Sequence, residues 1–203
     1  MRAQNGPLQK PPPAVYGLDP GLAALATATL TPGHPPRTRT HTSPPAHGLA
    51  PTAARINHAT NQALTSINTD ITLAVIEAPS YGSTHGHHHE RAAAWWNTIT
   101  GLLHRGIPIA TCPPATLKRW TTGAGHASKH DMRHAIATLW PHHDTDTMTE
   151  HEIDAAALAA LGAHWLGWPG PWVEKDSSVW KSVRWPDTAQ SPGQAEFRRS
   201  AVR

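Results

Sequence analysis

With one cysteine, Cys112, in 203 residues, the chain can build neither an intrachain disulfide framework nor a cysteine-rich zinc module. It has no run of 18 apolar residues and no signal-peptide pattern, so a soluble protein of a reducing, cytoplasmic compartment is expected, with no membrane partner. A Walker-type phosphate loop is also missing, which argues against a nucleotide cofactor or an ATP-driven motor. Neither sign of charge dominates: 17 Lys and Arg stand against 14 Asp and Glu, a net charge of +3 with the 16 histidines neutral. A sequence pI near 9.4 mildly favours a polyanionic partner, and histidine protonation below about pH 6.5 strengthens that preference. No internal repeat is present, and the length suits one core domain of ordinary size.

What is present divides into three parts. Residues 1–13 are polar, end in "KPPP" and read as a disordered tail; residues 14–166 carry the periodic patterns; residues 167–203 mix Trp, Pro, Gly and charge as a C-terminal tail. The core opens with "VYGLDPGLAALATATL", two short strands (15–18 and 22–30) around Pro20-Gly21, with Asp19 where the first strand ends. "PRTRTHTS" alternates Arg37, Arg39 and His41 with threonines, as a solvated edge strand does. Leu49, Ala53, Ile56, Ala63, Leu64 and Ile67 recur at helical spacing. "ITLAVIE" is a buried strand ending on Glu77, residues 90–105 a helix stopped by Gly106, and "IPIATC" a fifth strand. Helices follow at "PATLKRW", with proline in its first turn, at "SKHDMRHAIATLW", capped by Ser128, and at "TEHEIDAAALAALGAHWL". In the last, Thr149 and Glu152 match a capping box, and Gly162 or Gly167 marks the far end. This order implies an α/β fold, a mixed sheet flanked by helices, because a strand-helix-strand crossover demands parallel pairing.

Asp19 and Glu77 end buried strands, and Asp154 lies in the opening turns of an Ala-rich helix with little other need for charge. Each has an ordinary use, as turn former, solvated strand end and helix N-terminal charge respectively. If the strands are neighbours, however, the three carboxylates converge into the oxygen-rich donor set that magnesium or manganese requires, and paired ions can clamp an in-line phosphodiester displacement. Helix geometry adds His151 and Glu150, three and four residues before Asp154 and on its face, whereas Glu152 is used in the capping box. His151 is the favoured fourth ligand or general acid/base, and Glu150 the second choice.

"GLDPG", "VIEAPSYGS", "PPATLKRWTTGAGHASKHDM" and "HEIDAAALAALGAHW", in this order and spacing, resemble the RuvC-type Holliday junction resolvases, the phage-borne branch in particular, over about residues 15–165. The resemblance implies an RNase H-like fold with a mixed five-stranded sheet, a homodimer, and nicking of opposing strands of a four-way DNA junction in a bacterial or phage-infected cell. It implies Mg2+, with Mn2+ able to substitute, at two ions per active site, and products carrying a 5′ phosphate and a 3′ hydroxyl. Asp19, Glu77 and Asp154 match the family's catalytic carboxylates, and His151 an accepted ligand variant. Lys118 and Lys129 resemble basic residues that hold the scissile backbone. The chain departs from its phage relatives at Gly123, Ala124 and Gly125, where they tend to carry "GKG", and at "HGHHHER", where they have a smaller glycine-rich lead.

Lys118, Arg119 and Lys129 flank a glycine-rich loop and are candidates for DNA phosphate contacts. Of Trp95 and Trp96, one is expected in the core and the other at a dimer interface or against an unpaired base. His85, His87, His88 and His89 lack a consistent ligand spacing and read as a structural or DNA-facing loop rather than a metal site. Cys112 reads as a buried thiol, and the C-terminal tryptophans as packing back on the core. The competing functions are a less selective nuclease for forks, flaps or single strands, a catalytically inactive junction-binding protein, and a histidine-rich metal carrier.

Overall fold

The computed structural model describes residues 12–67, 69–79, 87–172 and 176–187. Strands β1 (Pro13–Asp19), β2 (Ala24–Leu30) and β3 (Arg37–Thr42) form an antiparallel meander, and β4 (Asp70–Glu77) and β5 (Ile109–Cys112) add in parallel on the other side of β1. The resulting order is β3-β2-β1-β4-β5. With both faces of the sheet covered, β1 is buried from Ala14 onward and β4 is a nearly continuous apolar run.

Helices α1 (Leu49–Thr65) and α2 (His88–His104) pack on one face, over Tyr16, Leu18 and Ile76, with Leu102 of α2 buried in the same cluster. Tyr16 donates its hydroxyl hydrogen to the carbonyl of Ala63 at 2.6 Å, and its burial pushes the phenol up to about 12. The other face is covered by α5 (Glu150–Trp165), with α3 (Pro114–Thr122) and α4 (Lys129–Leu139) packed against it. From Ala155 to Ala163 every residue of α5 is buried, so the helix is apolar all round, as a central helix must be. Small residues let it lie close: a Cβ on Gly162 would stand 2.7 Å from Val75 Cγ2 and 2.8 Å from Val15 Cγ1. Helix α5 therefore runs through Gly162 and ends at Trp165, with Gly167 at φ 73° just beyond.

Both expected caps are present. Ser128 accepts from the Asp131 N–H, and Thr149 accepts from the Glu152 N–H at 3.2 Å while Glu152 Oε2 accepts from the Thr149 N–H at 2.8 Å. Thr149→Ala should cost about 1 kcal/mol in chemical denaturation, the usual worth of an N-cap oxygen.

Three readings of the chain need correction. The apolar stripe of α1 is buried only in its second half: Leu49 is 93% exposed and Ala53 is exposed, while Ala59, Thr60, Ala63 and Leu64 are covered. On α2 the core positions are Ala94, Thr98, Ile99 and Leu102, with Leu103 turned to solvent. The stretch after residue 167 contains one further turn of helix, α6 (Val179–Ser182), and an antiparallel bridge between Arg184 and Thr111. Its tryptophans pack back on the core, with Trp185 stacked on Trp165 at 4.5 Å between ring centroids. No helix among the described residues is long and apolar enough to cross a membrane.

Candidate active site

Parallel pairing of β1 with β4 sets the two strands side by side with their C-terminal ends together, Asp19 closing one and Glu77 the other. The N-terminal turns of α5 lie over the same end and deliver His151 and Asp154. His151 Nδ1–H donates to Asp19 Oδ2 at 2.6 Å, joining helix to strand. Asp19 is buried and His151 half exposed. Glu77 is fixed through its backbone, whose carbonyl accepts the Trp95 indole N–H at 2.9 Å. Its register partner on β5 is Cys112, a thiol whose pKa burial pushes up, as an inert core cysteine requires.

The electrostatics are those of a crowded acidic site. Burial, then the neighbouring charges of Asp19 and Asp154, push Glu77 up to about 9. Burial and Asp19 push Asp154 up to about 6. Lys118, on α3, opposes both shifts. The bond to Asp19 holds His151 above the ordinary histidine value. Three carboxylates forced together at a buried strand end, one of them driven to hold a proton, are short of positive charge. Three hard oxygen donors and one imidazole are a donor set suited to magnesium or manganese. As the side chains stand, no three His, Cys, Asp or Glu among the described residues are placed to hold one ion together, so binding one requires side-chain movement.

A pH dependence of stability follows. Glu77 holds its proton from its ordinary value of 4.5 up to about 9 when folded, so the native state binds more protons than the unfolded chain across that window. The stabilisation is complete below 4.5 and lost as pH rises towards 9; the raised Asp154 and His151 act with the same sign. Thermal unfolding in a chelator should show a melting temperature that falls from pH 5 to 9, with a shallower fall for Glu77→Gln.

The other candidates are dispersed around this centre. Lys118 is half buried and close enough to act on Glu77 and Asp154. Arg119 lies 4.0 Å from Asp176, and Lys129 pairs with Glu150, which shares the acidic end of α5 but faces that lysine. Glu152 closes the capping box. Trp95 is partly buried against Glu77, and Trp96 is 61% exposed. His85 lies outside the described residues; His87 precedes α2 at φ 52° with Nδ1 3.4 Å from Glu90 Oε1, a local pairing. Sequence reasoning missed the Trp95 contact and the Thr40–Thr149 hydroxyl bond of 2.9 Å that ties β3 to the start of α5. Both join elements remote in sequence, and no local pattern announces them.

A mixed 3-2-1-4-5 sheet with helices on both faces is the RNase H-like architecture. Among solved structures it matches the RuvC of Thermus thermophilus with a TM-score of 0.63 at 16% identity, over 78% of this chain and 99% of that one. The same protein in complex with a Holliday junction substrate matches with a TM-score of 0.58 at 18% identity, over 72% of this chain and 90% of that one. No family model matches the chain, and no curated protein matches it in sequence. The likeness establishes the RuvC fold, in line with the resemblance carried by the four motifs.

Proposed function

We propose that this chain is a divalent-metal-dependent endonuclease that resolves four-way DNA junctions by paired nicks. The observation that carries the reading is the meeting of Asp19, Glu77, Asp154 and His151 at one end of a RuvC-like sheet. Those four side chains would hold two Mg2+ ions, with Mn2+ able to substitute. A bound pair of such ions supplies charge neutralisation at the attacking and leaving oxygens of an in-line displacement. The protein's own part is to set the donors on rigid elements: Asp19 and Glu77 on paired strands, Asp154 and His151 on a buried helix. The Nδ1 proton of His151 is held towards Asp19. Lys118, which acts electrostatically on Glu77 and Asp154, would offset the approach of a phosphate to the carboxylates; Arg119 and Lys129, paired with Asp176 and Glu150, would reach the backbone by exchanging those partners for phosphates.

Paired nicks need two active sites, hence a homodimer. Trp96 and Leu103, seven residues apart on α2 and 61% and 59% exposed, present apolar surface for a second copy. Light scattering on the native chain and on Trp96→Ala measures that state.

The test is a gel assay with end-labelled four-way junction, fork, duplex and single strand, in magnesium, manganese or calcium. Symmetric nicks confined to the junction, in magnesium or manganese, are the expected result. Equal cutting of fork or single strand would mark a broader nuclease. Binding without cutting in any metal would mark a junction-binding protein.

A further inference from the structure

The acidic end of the sheet leaves one strongly charged region without a role. From Pro20 to Thr69 the chain contains no Asp or Glu, while Arg37, Arg39, Arg55 and four histidines fall within it. Arg55 is committed to structure, donating from Nε to Ser43 Oγ at 3.0 Å and from Nη2 to the Ser43 carbonyl at 3.2 Å. Arg37 and Arg39 are different. Both are exposed on β3, the edge of the sheet, and among the described residues no carboxylate pairs with either.

Their arrangement is regular. Thr40 lies opposite Ala26 and bonds Thr149, so the threonines of β3 face α5. Arg37, Arg39 and His41 therefore share the other side, opposite Thr29, Thr27 and Leu25. His41 Nε2 meets Ser66 Oγ at 3.1 Å at the end of α1, and the exposed His58 of α1 acts on it electrostatically. Two residues of strand span about 6.8 Å, and so do two nucleotide steps along the axis of one DNA strand. Charge on an edge strand also discourages edge-to-edge pairing, but either sign serves that purpose; an edge with arginines alone and no acid nearby selects for an anion.

The edge also lies beside the site. Asp19, Ala26 and Thr40 are successive register partners across β1, β2 and β3. At a strand spacing of about 4.8 Å, Thr40 is roughly 10 Å from Asp19, or about three nucleotides of axial rise.

We infer that the β3 edge, through Arg37 and Arg39, is a second DNA contact surface, binding the sugar-phosphate backbone of a duplex arm that passes beside the site. The inference rests on the endonuclease reading above and adds the surface that orients an arm over the site.

The experiment is fluorescence anisotropy of a labelled four-way junction in calcium across a KCl series, with the native chain, R37Q/R39Q and R37K/R39K. Expected for R37Q/R39Q is about tenfold weaker binding at 150 mM salt, and a log–log salt slope shallower by about 1.8, the value for two lost phosphate contacts. R37K/R39K should keep most of the affinity. Native affinity and slope in R37Q/R39Q would overturn the inference alone, as would an equal loss in R37K/R39K. Failure of the native chain to bind any junction would overturn the endonuclease reading itself.

Discussion

Asp154→Asn should cut a four-way junction at least about a thousandfold more slowly than the native chain and bind it as tightly or more tightly. The amide keeps the size of the carboxyl, so the packing around Asp154 at the start of α5 is retained. What it removes is a hard anionic donor. Asp154 is pushed up to about 6 by burial and Asp19, and so is ionised at pH 8. A thousandfold loss corresponds to about 4 kcal/mol of barrier, within the several kcal/mol that metal-based charge stabilisation contributes. Binding moves the other way, because one fewer negative charge faces an incoming phosphate. Single-turnover cleavage in magnesium and anisotropy in calcium measure the two quantities separately. Loss of binding along with cleavage would assign the carboxylate a structural role; undiminished cleavage would remove Asp154 from the site.

The same cluster shows what a single sequence carries and where it stops. Strand ends were legible because turn chemistry is local: Pro20-Gly21 after Asp19, and Pro79 after Glu77, stop the strands on the acids. The phase of α5 was legible too, since a capping box fixes Thr149 and Glu152, and helical spacing then sets His151 with Asp154. Contacts between distant elements were not. Nothing in the pattern of α2 says that Trp95 reaches the Glu77 carbonyl. Periodicity on α1 gives the direction of its apolar face but not how far the sheet extends beneath it, so Leu49 and Ala53 carry the stripe into solvent. Four residues of helix at Val179–Ser182 are too few for any period, and their place was set by tryptophans stacking on α5 and by a strand-like bridge to β5.

Gly17 is the clearest case of a residue whose importance only the packed structure reveals, and its replacement by alanine should be the most damaging small substitution in the core. It lies mid-strand in β1, between Ala28 of β2 and Val75 of β4, where a glycine is ordinarily a weakness. A Cβ there would stand 2.0 Å from the carbonyl oxygen of Ala155 and 2.7 Å from the amide nitrogen of Ala159. Both are backbone atoms of α5, and neither can turn aside as a side-chain tip can. The helix must lift, and with it Asp154 and His151 lose their distance to Asp19. Overpacking of this kind costs about 3 kcal/mol, which in a domain of this size lowers the melting temperature by roughly 6–12 °C. Gly33→Ala is the matched control: at φ 77° it is strained, but nothing lies within 4 Å of the added carbon, so about 1 kcal/mol is expected. Thermal unfolding of both variants in a chelator, followed by cleavage assays below their melting temperatures, separates the two effects. Gly17→Ala should lose activity even where it is fully folded, because the site is built across the seam that the methyl group forces open; native cleavage in a folded Gly17→Ala protein would mean that β1 and α5 do not hold the site at that spacing.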